Sequence, residues 1–276
     1  MRLQPKNQKL SIPLEIISYA CQNRKIKALE IFLYLKMYSD GKIHFQSAIF
    51  NQLKADLGIK DNRTLDKHLS VLKQLNWINY SRKSGNFFIS GFNSVRKAHN
   101  FIKRDACTFQ LKDFHSFNSF LTGAVIAKKV NTLHYFKNFN KGGKWAATNR
   151  RDVAFKPKSS LNLIIPEYDG LSNSLIAKLL GCKKTRASVL KQQAHKDGYI
   201  QATKKFVDVL VMDKKDSFIR DSLYQEYQDM QGKLVFKTKK INGSYKIVLA
   251  MQLWDEIKPV VQLKRIGSFK KQKSRF

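Results

Sequence analysis

Acidic residues are scarce: 20 Asp and Glu stand against 52 Lys and Arg, for a net charge of +32 and a pI near 10.1. An excess of this size repels itself in a compact chain, so a polyanionic partner is expected. Cysteine is also rare. Cys21, Cys107 and Cys182 are far apart and form no Cys-x-x-Cys pair, which argues against a disulfide framework or a zinc knuckle and for isolated buried thiols in a reducing cytosol. No apolar run approaches the ~18 residues of a membrane-spanning helix. Residues 1–14 carry Lys and Gln where a signal peptide needs an apolar stretch. The expectation is a cytosolic protein, nucleoid-associated in a bacterial or phage-infected cell, with no membrane partner. Lys outnumbers Arg 40 to 12. AT-rich codons favour Lys, Asn, Ile and Phe, but codon bias does not account for the shortage of acids.

Catalytic patterns are missing as well. The six histidines, His44, His68, His99, His115, His134 and His195, are scattered, and none forms His-x-His or His-Glu-x-x-His. Gly142-Gly143-Lys144 is followed by Trp145 and lacks the first glycine of a phosphate loop. No Gly-x-Ser-x-Gly, Cys/His pair or kinase signature occurs. Asp208, Asp213, Asp216 and Asp221 sit where a strand exit and a helix start use acids for capping and charge compensation. No catalytic residue, metal or cofactor is expected, and the chain reads as a non-enzyme.

What remains is enough to fold. Hydrophobic residues make up 43 % of the chain and aromatic residues 12 %, too many for a disordered basic tail. The length suggests about two domains. Residues 1–158 hold 29 basic and 9 acidic side chains, and residues 159–276 hold 23 and 11. Two stretches have no acid, 114–151 and 257–276.

One pattern occurs twice. Over residues 58–78, Asp61 can N-cap a helix. Leu65, Leu69, Leu72 and Leu75 recur at helical spacing, and the opposite face carries Arg63, Lys67, Ser70 and Gln74. Trp77, Ile78 and Tyr80 then read as a strand, 81–86 as a turn, and Phe87–Ile89 as a returning strand. Upstream, Ser47–Leu57 predicts a short helix stopped by Gly58, and Lys25–Tyr38 a longer one. In residues 172–212 Ser172 caps a helix over Asn173–Leu180 that ends at Gly181. The next helix has Ala187, Leu190 and Ala194 inward and Lys184, Thr185, Ser188 and Gln192 outward. Tyr199–Thr203 is expected as a strand, Lys204-Lys205 as the turn, and Phe206–Met212 as the return strand. Aligning Leu65 with Ala187 places Leu72 on Ala194, Trp77 on Tyr199 and Ile78 on Ile200.

This pattern resembles the winged helix-turn-helix superfamily. The resemblance implies an α+β, helix-rich fold with two such domains in tandem and small β-hairpin wings. In that family the second helix of the motif lies in the major groove of double-stranded DNA. Carried over, the readers are Asn62, Arg63, Lys67 and Ser70 in the first copy, and Lys184, Thr185, Arg186 and Ser188 in the second. The wings supply Arg82, Lys83 and Ser84, and Lys204 and Lys205. Tandem winged helices of this size resemble plasmid and phage replication initiators, which bind repeated origin sites and recruit the replication machinery. A winged-helix transcriptional regulator, dimerising through residues 216–251, is the alternative within the same class. A nucleic-acid packaging or virion-associated protein with little sequence preference is the alternative outside it.

The expected organisation has a first domain over 1–93, a basic connector over 94–105 and a second domain over 106–215. A helix and a β-hairpin over 216–263 and a basic tail over 264–276 follow. Within the second domain, Phe117–Phe136 reads as the first helix. The loop 137–159, with Lys141, Lys144, Arg150 and Arg151 beside Trp145, is long for an inert connection. Its composition suits backbone contact and stacking.

Overall fold

In the computed structural model the described residues are 3–139, 170–204, 206–212, 233–252 and 255–267. The chain is α+β, with eight α-helices and small antiparallel sheets among those residues. No helix among them is long and apolar enough to cross a membrane. The contacts divide the chain into two compact units, the first over 1–129, 177–200 and 259–276 and the second over 130–176 and 201–258.

In the first unit, strand β1 (Lys9–Pro13) leads into helices α1 (Leu14–Gln22) and α2 (Ile26–Tyr38). Strand β2 (Lys42–His44), helices α3 (Ala48–Asp56) and α4 (Asn62–Gln74), and strands β3 (Ile78–Ser81) and β4 (Asn86–Ile89) follow. The three strands form one sheet in the order β2-β4-β3. Helix α2 is hydrophobic nearly all round, and its Leu29, Ile31, Phe32, Leu33 and Leu35 are fully buried, as expected for a helix enclosed by its neighbours. Trp77 closes the same core. Its ring lies 5.1 Å from Phe32 and 6.4 Å from Tyr19, and its Nε1 lies 3.1 Å from His99 Nε2.

Helix α5 (Phe92–Ala98) is shorter than the connecting helix predicted over Ser94–Arg104. It is also no free connector. Arg96 is fully buried, and its guanidinium donates to the Lys103 and Gly267 carbonyls, each at 3.0 Å. Strand β5 (Asp105–Gln110) then pairs along its length with β1, so the expected break between residues 93 and 106 falls inside the first unit. The third strand of this sheet is β11 (Leu263–Arg265). Lys264 and Arg265 are therefore sheet residues and not the start of a tail. Arg265 stands opposite Asp105 in the register, an opposite-charge pair of the kind that favours cross-strand pairing.

Helices α6 (Phe117–Phe139), α7 (Asn173–Leu180) and α8 (Lys184–Lys196) come next in the chain. The periodicity predicts all three to within a few residues. Ser172 does cap α7, accepting from the Leu175 amide at 3.1 Å.

The repetition extends to backbone bonds. Trp77 N donates to the Leu72 carbonyl and Tyr199 N to the Ala194 carbonyl, both at 2.9 Å. Asn76 N donates to Lys73 O at 2.9 Å and Gly198 N to His195 O at 3.1 Å, and both residues have positive φ. Ser90 N donates to Trp77 O at 2.9 Å and Val260 N to Tyr199 O at 3.0 Å. The last pair matches the residue after β4 with the residue after β10 (Glu256–Pro259), not with one after β7 (Phe206–Met212).

Strand pairing in the second unit agrees with that match and corrects the predicted second hairpin. β6 (Ile200–Thr203) pairs with β10, and Gly170 bridges to Glu256 of β10. The ladder order, Gly170 then β10 then β6, repeats β2-β4-β3. β7 belongs to a different sheet, β7-β9-β8, with β8 at Lys233–Ile241 and β9 at Ser244–Gln252. The physical reason is length and register. β6 offers four residues, whereas β9 offers nine and pairs with β7 from Phe206 opposite Gln252 to Met212 opposite Ile247. The hairpin signal Asn242-Gly243 is where the sequence places it, between β8 and β9. The helix expected over Asp216–Met230, the strand expected over Leu161–Ile165 and residues 140–159 of the expected loop 137–159 lie outside the described residues; residues 137–139 are the end of α6 and not loop.

Candidate nucleic-acid interface

Helix α4 presents the clearest surface. Asp61 Oδ1 accepts from the Thr64 amide at 2.6 Å and Oδ2 from its hydroxyl at 3.0 Å. These bonds hold the Asp61 carboxyl below its ordinary range, because they favour the ionised acceptor. The negative cap also complements the helix N-terminus. Leu65, Leu69 and Leu72 are buried, which turns Arg63, Lys67 and Ser70 to the other side, at i, i+4 and i+7. All three are exposed. Asn62 is exposed too, but its Oδ1 accepts from Lys54 Nζ of α3 at 2.8 Å. It is thus tied to the helix pair at the edge of this exposed face. His68, on the flank of α4, is lowered by burial first and then by the charges of Lys27 and Lys67.

The turn between β3 and β4 sits beside this helix in the chain and carries Arg82, Lys83 and Ser84, all exposed. It is held from behind. Phe45 N donates to Gly85 O at 2.9 Å, and Asn86 Nδ2 donates to Ser84 O at 2.8 Å. Only glycine fits at Gly85, where a Cβ would stand 2.9 Å from the Phe45 ring at a φ of +61°. Lys73 lies over the rings of Tyr80 and Phe87, at 5.1 and 5.5 Å, linking the end of α4 to both strands.

The second copy is presented differently. Lys184, Thr185 and Arg186 are exposed in the first turn of α8, and Ser188 is half-buried. Lys191 is buried beside Ala187 and Ala194, while Leu190, expected inward, is only half-buried. Thr185 and Arg186 border a cleft shared with Lys183, Arg24, Cys21 and Cys182. Sequence reasoning missed Lys183 and Arg24 as members of this cationic cluster. Lys183 was legible as part of a Lys-Lys-Thr-Arg run, but only the tertiary fold brings Arg24 to it. The cleft also revises the picture of isolated thiols. Cys21 and Cys182 line one cavity, Cys21 buried and Cys182 half-buried. Burial pushes the Cys21 thiol up to about 12 and raises Cys182 as well, so both are protonated near neutral pH.

Lys204 is exposed. Because β6 pairs with β10, it opens a long insertion and is not the tip of a two-strand turn. Lys205, Lys141, Lys144, Arg150 and Arg151 lie outside the described residues. Among the described residues, no group of three or more His, Cys, Asp or Glu side chains is placed to hold a metal ion. Comparisons with protein-family models, with curated proteins and with solved structures found no match.

Proposed function

We propose that this chain is a sequence-specific double-stranded DNA-binding protein built on two tandem winged helix-turn-helix units, acting in the cytosol as a plasmid or phage replication initiator and not as an enzyme. The observation that carries the reading is the α4 face. An amphipathic helix, capped and packed through three leucines, leaves Arg63, Lys67 and Ser70 exposed in one row. A helix of this diameter fits the major groove, where an Arg fork can pair with a guanine edge. The exposed Arg82-Lys83-Ser84 turn supplies contacts to the flanking backbone, which position without specifying. The recurrence of element order and backbone bonds in the second half supports a tandem reader. Tandem readers suit repeated sites, and that is the argument for an initiator that recruits replication machinery over a single-site binder.

The test is selection of bound duplexes from a random pool by the full chain, followed by sequencing and anisotropy titration. Enrichment of short direct repeats is expected. A palindrome bound by a dimer would point instead to a transcriptional regulator. Equal affinity for the enriched and random duplexes at ~150 mM salt would leave only phosphate-driven binding, the behaviour of a packaging protein, and would refute the proposal.

A further inference from the structure

The two copies differ most where the first has its basic turn. In the first copy the connection from β3 to β4 is the turn at residues 82–85. In the second the connection from β6 to β10 holds residues 204–255, and it contains the β8–β9 hairpin. Each strand of that hairpin is nine residues long, or ~30 Å at the usual rise per strand residue. Asn242 and Gly243 both have positive φ, the backbone a tight two-residue hairpin turn requires.

The composition of the hairpin changes along its length. Near its root β9 buries Val248 and Ala250. Two residues further toward the tip, the same face of the strand carries Lys246, with Lys239 directly opposite it in the register. Across the other face, Lys240 stands opposite Tyr245, which is 64 % exposed. Residues 233–252 contain five lysines and no acid. Two lysines directly opposed on an antiparallel pair repel each other. With no acid among residues 233–252, the hairpin carries a local excess of positive charge that suits a polyanion.

We infer that the tip of the β8–β9 hairpin, Lys239, Lys240 and Lys246 with Tyr245 beside them, is a further nucleic-acid contact, an enlarged wing that grips the sugar–phosphate backbone of duplex DNA. The inference rests on the DNA-binding reading above and adds a site outside the two helix pairs. Its chemistry is that of a positioning contact: ammonium groups on phosphates hold the duplex without reading its bases.

The experiment uses the full chain and a triple variant, Lys239→Gln, Lys240→Gln and Lys246→Gln, with anisotropy titrations against selected and random duplexes from ~50 to ~200 mM salt. The variant is expected to flatten the log–log salt dependence by about 2.7, near 0.9 for each lost phosphate contact. Its preference for selected over random duplex stays unchanged, and a Lys→Arg triple keeps the wild-type slope. Its thermal midpoint and circular dichroism spectrum should match those of the wild type, the check that the variant folds. An unchanged slope in the Gln variant overturns the hairpin assignment alone. Absence of duplex binding by the wild type overturns the DNA-binding reading and this inference with it. Tyr245→Ala should leave duplex affinity within about two-fold. If it instead weakens a single-stranded oligonucleotide ten-fold or more while the duplex holds, the tip is a stacking platform for unpaired bases and the duplex assignment is wrong.

Discussion

Gly58 and Gly181 occupy the same place in the two helix pairs, with φ of +63° and +62°. Alanine at either position must adopt the left-handed backbone, at about 1–2 kcal/mol. Their surroundings differ. A Cβ on Gly58 meets nothing within 4 Å. A Cβ on Gly181 would stand 2.9 Å from Gln22 Cα, 3.0 Å from the Cys21 carbonyl oxygen and 3.1 Å from that of Gln22. These are backbone atoms at the end of α1 and cannot rotate aside, so the turn itself must lift. Overpacking of this kind costs about 1–3 kcal/mol more. Gly58→Ala is therefore expected to destabilise by about 1–2 kcal/mol, and Gly181→Ala by about 2–5 kcal/mol. Because both glycines start from one backbone state, the difference isolates the seating of the α7–α8 turn on α1. Urea unfolding followed by circular dichroism measures both variants. Hydrogen exchange at the α8 amides gives a local reading if unfolding is not two-state. Losses equal to within ~0.5 kcal/mol, or a larger loss at Gly58, would refute the close packing of that turn.

Further expectations concern single side chains. Arg63→Ala should weaken binding to selected DNA by about 1–3 kcal/mol and relax preference at one base position, read by the same selection assay; equal weakening on random DNA would make Arg63 a phosphate contact only. Arg96→Met should destabilise the chain by about 1.5–3 kcal/mol, since the charged hydrogen bonds of the buried guanidinium to the Lys103 and Gly267 carbonyls are lost; a neutral result in urea unfolding would show those bonds to be dispensable. The Asp61 cap contributes stability that is fully present above the ordinary carboxylate pKa, near 3.8, and is lost as pH falls through the lower folded value. Asp61→Asn keeps an acceptor but removes the charge, so the acid dependence of α4 helicity should diminish in a pH titration by circular dichroism. An unchanged profile would assign that dependence to other groups.

The helix pairs were legible because their signals are local. Asp61 and Ser172 precede apolar stripes of period 3.6, Gly58 and Gly181 end the preceding helices, and Asn242-Gly243 marks a hairpin turn. Each signal is read within a turn or two of chain, where capping and periodicity act. The exposed row Arg63, Lys67 and Ser70 follows from the same periodicity, because burying Leu65, Leu69 and Leu72 leaves no other face for it.

The sequence alone therefore determined an α+β chain with a repeated helix pair, a strongly basic surface and the residues facing outward on α4. Only the tertiary structure decided which strands pair. It gave β10 to β6 in place of β7, and β11 to β5 in place of a tail. It also buried Arg96 against the carbonyls of nearby Lys103 and distant Gly267 and brought Arg24 to Lys183 and Arg186. These outcomes depend on backbone registers and close approaches between residues far apart in sequence. Alternation along one strand says which face is apolar, but not which partner will cover it.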